Sequence, residues 1–369
     1  MIRNIISATF ALLVIVQLSP AVTLRAVGQE TTFPSPQIID PEFLLEKGAT
    51  VDFIFGEERP FRSCHASTVV ETANGDILCA FFAGSGEKNP DVGIWMSRYS
   101  GGNWGPVTLG VKVNETAHWN PVLFRDARSG IHLFFKVGPE IPYWQTYWIT
   151  STDDGRTWSE ATELVAGDKG GRGPVKNKPI LLPDGTWLAG ASTELGGWDP
   201  FFDRSTDLGK TWTRTEDIAI GRDVLKGRGA IQPTMWEWKP GHVRAVFRTT
   251  SGFLARSDSA DGGLTWSPLG QSGLPNNSSG VDAVRVDDGR VFLVYNPTGR
   301  RGGRSPLNIA VSHDDGDTWK DFASLEFEPR REFSYPAIVK TKDGISVSYT
   351  WKRQRVRAWQ IPFTALEGI

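Results

Sequence analysis

Two cysteines, Cys64 and Cys79, are all that a chain of 369 residues contains, so a disulfide-stapled scaffold is excluded. Asn74-Gly75 reads as a hairpin turn that sets Val70, rather than Cys64, near Cys79, and two buried free thiols are expected. Histidine is equally sparse: five dispersed copies show no ligand spacing, and neither metal nor cofactor is expected. Charge of one sign is missing too. A net charge of -2 gives no reason to expect nucleic acid or an anionic membrane as partner. Beyond the extreme N-terminus no run is long and apolar enough to span a bilayer. The glycine-rich stretches 167–173 and 299–303 lack the strand–loop–helix setting of a phosphate-cradling or dinucleotide-binding loop.

What is present in excess is Trp (15), Gly (40) and Pro (23), a mixture that favours short strands and frequent turns over helices. The length exceeds one ordinary compact core, leaving two domains or one repeat architecture. Residues 1–28 read as an export signal: Arg3 precedes an apolar stretch over 5–18, and Ala26-Val27-Gly28 offers a small-x-small cleavage site. An extracytoplasmic, secreted or periplasmic protein is the expectation, with 29–45 as an N-terminal segment, one domain over 46–369, and a monomeric state.

The repeat is explicit. Ser-x-Asp-x-Gly-x-Thr-Trp occurs at 151–158, 205–212, 259–266 and 312–319, and a worn copy at 97–104 keeps only Ser97, Gly101 and Trp104. Asp accepts backbone N–H groups in a tight turn, Gly supplies a left-handed backbone, and Trp buries an apolar face, so the string is a hairpin fastener rather than a catalytic motif. An independent series of turn glycines, Gly75, Gly130, Gly185, Gly241, Gly289 and Gly344, has apolar extended runs on both sides. Six turns predict an all-β, six-bladed β-propeller of about four strands per blade. The sixth blade lacks a box and the chain ends soon after it, so its outer strand is expected from residues 50–55.

Four intact boxes in this register resemble the sialidase superfamily of Asp-box (BNR-repeat) propellers. The resemblance implies site residues by position. Arg248 and Arg304 match two of the three carboxylate-binding arginines, and Tyr335 matches the nucleophile, nine residues before Gly344. Asp91, with Glu87 beside it, falls on the loop of the acid/base aspartate. Two positions depart from the pattern: His65 stands where the first arginine belongs, with Arg62 out of register, and Gln232 replaces the glutamate that activates the tyrosine. Either Glu332, three residues before Tyr335, substitutes as activator, or the chemistry differs.

Read without the family, inner-strand starts and the ends of the following strands gather at one mouth of a propeller. His118, Trp119, Asn120, Lys176, Asn177, Lys178, Lys136, Glu194, Asn276, Asn277 and the pair Lys352-Arg353 then join that mouth, with Trp144 and Trp198 nearby. A mostly cationic rim with indole faces suits an acidic glycan; Arg62, Arg248, Arg304, His118, Asn120, Lys136 and Lys178 are the substrate-binding candidates. Three activities stay open. One is a sialidase-like exo-glycosidase using Tyr335, Asp91 and His65; another is a uronate lyase with His65, His118 or Tyr335 as base; the last is a non-catalytic glycan binder.

Overall fold

The computed structural model describes residues 33–369; the export-signal reading of residues 1–28 falls outside them. Six antiparallel sheets follow one another along the chain. Blade 1 runs Ser63–Glu71, Ile77–Gly84, Gly93–Ser100 and Asn103–Trp104, with Thr108–Val111 also pairing to its third strand. Blade 2 comprises His118–Arg125, Ile131–Val137, Gln145–Ser151 and Thr162–Glu163. Blade 3 has Ile180–Leu181, Trp187–Thr193, Asp199–Ser205 and Thr213–Arg214, and blade 4 has Ala230–Lys239, His242–Thr249, Phe253–Ser259 and Gly270–Pro275. Asp282–Arg285, Val291–Tyr295, Leu307–Ser312 and Lys320–Glu326 form blade 5. Blade 6 takes Phe333–Lys340, Gly344–Trp351 and Arg355–Pro362, and its outermost strand is Thr50–Phe53 from the other end of the chain. Thr50 pairs with Gln360 and Phe53 with Arg357, which closes the ring as the missing sixth box implied.

The second strand of each blade is covered on both faces by its neighbours, and it is buried along nearly its whole length rather than at alternate residues. Ile77–Gly84 and Ile131–Val137 are buried at every residue. Cores are shared between blades: Leu78 and Phe82 of blade 1 pack with Leu123 and Leu133 of blade 2, and Val246 and Leu254 of blade 4 with Val291 and Leu293 of blade 5. The short helix Glu42–Glu46 packs Leu44 into the core of blades 5 and 6.

The boxes form the turn between third and fourth strands. In each intact copy the Ser hydroxyl meets the Asp carboxylate and the Gly N–H, while the Thr N–H and hydroxyl both donate to that carboxylate; at Asp261 the Thr265 bonds are 2.9 and 2.6 Å. The Trp side chains cross to other blades: Trp266 stacks on Phe202 of blade 3 with centroids 3.9 Å apart. The worn copy lacks the Asp and uses consecutive left-handed glycines instead, Gly101 (φ 57°) and Gly102 (φ 85°).

Two details of the sequence reading are corrected. Cys79 lies opposite Val69, not Val70, because the first hairpin loop has three residues, 73–75, instead of two; Thr72 N–H bonds Asp76 O and shifts the register by one. Cys64 lies opposite Ala83, and both thiols are free and buried. Of the six turn glycines, Gly75, Gly185, Gly241 and Gly289 are left-handed; in blade 2 Ser129 (φ 67°) takes that role, and Gly344 opens a strand. At Gly344 a side chain is excluded by contact, since an added Cβ would fall 2.0 Å from Ile361 O.

Candidate active site at the channel mouth

Four inner strands carry a bulge near their start, with register slips at His65/Thr68, Trp119/Val122, Ile231/Thr234 and Ser334/Ala337. At each one a residue other than glycine adopts a left-handed backbone: Ala66 (φ 54°), Asn120 (φ 35°), Gln232 (φ 55°) and Tyr335 (φ 52°). In three of them a proline follows, Pro121, Pro233 and Pro336, which has no N–H to give the ladder at that point. Such a conformation costs roughly 1–3 kcal/mol per residue, and it re-aims the side chain out of the strand's alternation. Here it turns Gln232 and Tyr335, from blades 4 and 6, toward each other.

Tyr335 is the centre of the cluster. Arg248 Nη1 donates to its hydroxyl at 2.5 Å and to Gln232 Oε1 at 3.2 Å, and Gln232 Nε2 reaches the same hydroxyl at 3.4 Å. The His65 ring lies against the Tyr335 ring at 4.2 Å, while the guanidinium of Arg304 and the ammonium of Lys176 sit 5.5 and 5.9 Å from it. Gly280 keeps this space open, since an added Cβ would meet Lys176 Cε at 3.1 Å.

Glu332 binds elsewhere. Its Oε1 accepts from Arg304 at 2.7 Å, Arg353 Nε at 2.9 Å and Ser334 Oγ at 2.7 Å. Burial opposes its charge, but Arg304, Arg353 and the Ser334 hydroxyl outweigh burial and hold the carboxyl below its ordinary range. It therefore ties two arginines together and makes no bond to Tyr335 oxygen, which the expected activator role required. Arg353, at the left-handed tip of the last hairpin (φ 58°), also pairs with Glu87 at 2.5 Å. It is the third arginine of the cluster, arriving from blade 6 where the register argument looked to blade 1. Only ring closure, with Arg353 O accepting from Cys64 N–H at 3.0 Å, sets it beside His65.

His65 contributes no positive charge. Burial first, then Arg353, Arg304, Arg248 and Lys176, hold it well below 6.5, so the imidazole is neutral at neutral pH. Its Nδ1 is 2.8 Å from Thr350 Oγ1, which also accepts the Ala66 N–H. Asp91 is exposed on the loop after the first hairpin, and its carboxylate accepts Ser85 N–H at 2.7 Å and Ser85 Oγ at 2.8 Å. Glu87 on the same loop ties it to Arg353. Arg62 is exposed, with no ion pair among the described residues.

Four residues placed among the substrate contacts are bonded within the protein. His118 is fully buried; Nδ1 faces Thr116 O at 2.7 Å and Nε2 accepts Val113 N–H at 2.8 Å, so both ring nitrogens serve the backbone. Burial foremost takes it to about 4. Asn120 donates to Val175 O of the next blade. Lys136 is buried, bonds Thr146 Oγ1, Gly171 O and Arg172 O, and is pushed down to about 7 chiefly by burial. Lys178 clamps both oxygens of Asp282 at 3.0 Å and lines a cavity of about 210 Å³ with Glu71, Arg125 and Lys340, at the turn end of the channel. Just above it, Lys176 crosses to Val281 O and Pro336 O, so two lysines close the channel beneath Tyr335.

What remains at the mouth is a basic pocket: Arg248 and Arg304 beside one phenol, Arg353 joined to Arg304 through Glu332, and Glu87 at its rim. Such a set can hold a carboxylate through forked, charge-assisted bonds and present it to Tyr335.

A propeller with boxes at one end and this arginine–tyrosine pocket at the other is the architecture of the sialidase superfamily. The BNR repeat-like domain family matches residues 75–347, and the chain belongs to it. An anhydrosialidase of Macrobdella decora is 28% identical over 222 residues, 53% of this chain and 28% of that one. A sialidase of Micromonospora viridifaciens is 24% identical over 345 residues, 86% of this chain and 49% of its own. The chain thus spans half or less of the length of these curated relatives. Among solved structures, a protein of unknown function from Dyadobacter fermentans superposes with a TM-score of 0.70 at 19% identity, over 85% of this chain and 99% of that one. The leech intramolecular trans-sialidase bound to 2,7-anhydro-Neu5Ac gives 0.65 at 15% identity, over 85% and 69%. At these identities the structures establish a shared fold.

Proposed function

We propose that the protein is a carbohydrate-active enzyme that cleaves the glycosidic bond of a terminal acidic sugar, as a sialidase-like exo-glycosidase. One observation carries the reading: the Arg248–Tyr335 hydrogen bond of 2.5 Å, which joins the candidate nucleophile to a carboxylate-binding cluster. Arg248, Arg304 and Arg353 bind the sugar carboxylate. Tyr335 oxygen bonds to the anomeric carbon as the glycosidic C–O bond breaks, and Asp91 protonates the departing oxygen. Water then displaces Tyr335, giving its proton back to Asp91. Gln232 cannot accept the phenolic proton; His65, whose ring lies against Tyr335, is the nearest imidazole, although burial and the surrounding cations weaken it as a base. Any proton it takes returns to the phenol oxygen when water displaces Tyr335.

That same neutral His65 favours a second reading, β-elimination on a uronic-acid glycan. There the arginines neutralise the carboxylate, one of His65 and Tyr335 removes the C5 proton, and the C4–O bond breaks to leave a C4=C5 double bond while the other of the two gives the departing oxygen its proton. A sialoside panel and a uronate-polysaccharide panel, followed for released sugar and for ultraviolet absorbance together, separate the two. Release without new absorbance, abolished by Tyr335→Phe, supports hydrolysis. Unsaturated product overturns it, and binding without any product leaves a glycan-binding propeller.

A further inference from the structure

Outside the Tyr335 pocket, the mouth has a second basic opening. A cleft of about 380 Å³ is lined by Gly227, Arg228, Thr250, Asn276, Asn277, Ser278 and Arg300, from the loops of blades 4 and 5. We propose that this cleft is a second anion subsite, which takes a carboxylate or sulfate on the sugar next to the one held by Arg248 and Arg304.

Its cations are uncommitted. Across the fold most arginines meet an aspartate or glutamate, as Arg244 does with Asp258 and Asp317. Arg228 and Arg300 are exposed and, among the described residues, have no carboxylate at ion-pair distance. Glu194, whose carboxyl responds to both Arg248 and Arg228, is pushed up by burial and forms an ion pair with neither. Two unpaired guanidiniums on one concave wall attract an oxyanion, and each can bind it through two N–H groups.

The cleft is continuous with the main pocket. Ser278 lines it, and Ser278 Oγ lies 3.3 Å from both Nε and Nη2 of Arg248. Trp198 links the two sides, with the Arg228 and Arg248 guanidinium carbons 5.1 and 5.2 Å from its ring centre. One oligosaccharide can therefore reach both. Asn277 Nδ2 donates to Gly303 O at 2.6 Å, which ties the wall of the cleft to the loop that carries Arg300. The loop 299–304 that carries Arg300 ends at Arg304, so the two subsites share one piece of backbone.

The inference rests on the main pocket taking an acidic sugar, but its test reads binding and needs no turnover. Crystals of the full chain are soaked in selenate, an anomalous scatterer with the shape of sulfate. Anomalous density between Arg228 and Arg300, lost in the double variant Arg228→Ala/Arg300→Ala while density at Arg248 and Arg304 persists, is the expected result. No density in the cleft of the wild type overturns the proposal. In solution, polygalacturonate and chondroitin sulfate are titrated against both proteins, with free galacturonate as the single-anion control. The variant should bind the better polymer at least about tenfold more weakly and galacturonate unchanged; equal affinities for the polymers overturn it. The preferred polymer tells carboxylate from sulfate, and failure to cleave any glycan would instead sink the proposed activity.

Discussion

The two ends of the propeller follow opposite rules. At the turn end, four boxes repeat one set of bonds, and each carboxylate is saturated by local donors within four residues, as Asp314 is by Ser312 and Thr318. At the mouth no motif repeats from blade to blade, strained backbones place several of the side chains, and the bonds join blades far apart in sequence. Arg248 meets Tyr335 across 87 positions, and Arg353 meets Glu87 across 266. The difference teaches where to look for activity: local, repeated bonds hold the blades, and long-range, unrepeated ones build the site.

Substitutions at the two ends should therefore separate activity from stability. The largest effect expected is from Tyr335→Phe, which should lower kcat by at least about 10³-fold. Its melting temperature should stay close to that of the wild type, because the ring packing is kept. Retained turnover would show that the mouth is not the reaction centre. Arg353→Ala comes next, leaving Glu332 and Glu87 each one arginine short. The KM for an acidic sugar should rise tenfold to a hundredfold (about 1.4–2.8 kcal/mol), with little change for a neutral glycoside. Gln232→Glu sharpens the comparison, since it places a proton acceptor near the phenol: kcat for hydrolysis should rise about tenfold, whereas an elimination mechanism gains nothing.

At the other end, Asp261→Ala should lower stability by about 1–3 kcal/mol, read in a denaturant melt, and leave kcat/KM unaltered. The smallest effect is on acid stability. Burial opposes the charge on Asp314, but the Thr318 hydroxyl and N–H and the Ser312 hydroxyl outweigh it and hold the carboxyl at about 2. A carboxyl depressed on folding stabilises the native state above its unfolded value near ~4, and that share is lost as pH falls through the folded value. Asp314→Asn should accordingly flatten the decline of the melting temperature between about pH 4 and pH 2.

Sequence alone determined the parts of this protein that rest on local bonds. The box, its spacing, the six hairpins and a closing strand within residues 50–55, observed as Thr50–Phe53, were all readable, because a Ser, an Asp, a Gly and a Thr within eight positions carry their own geometry. The resemblance to the sialidase superfamily pointed to Tyr335, Arg248 and Arg304, and the structure brings the three side chains together. Tertiary structure alone decided the rest. His118, Lys136 and Lys178 look like ligands in a list of polar strand residues, yet backbone N–H and carbonyl groups and Asp282, brought up by other blades or loops, use their bonding capacity. Arg353 looks like a surface hairpin tip until ring closure brings blade 6 against blade 1 and Glu332 ties it to Arg304. A side chain's type states what it can bind, but its partners across the ring decide whether anything is left to bind with.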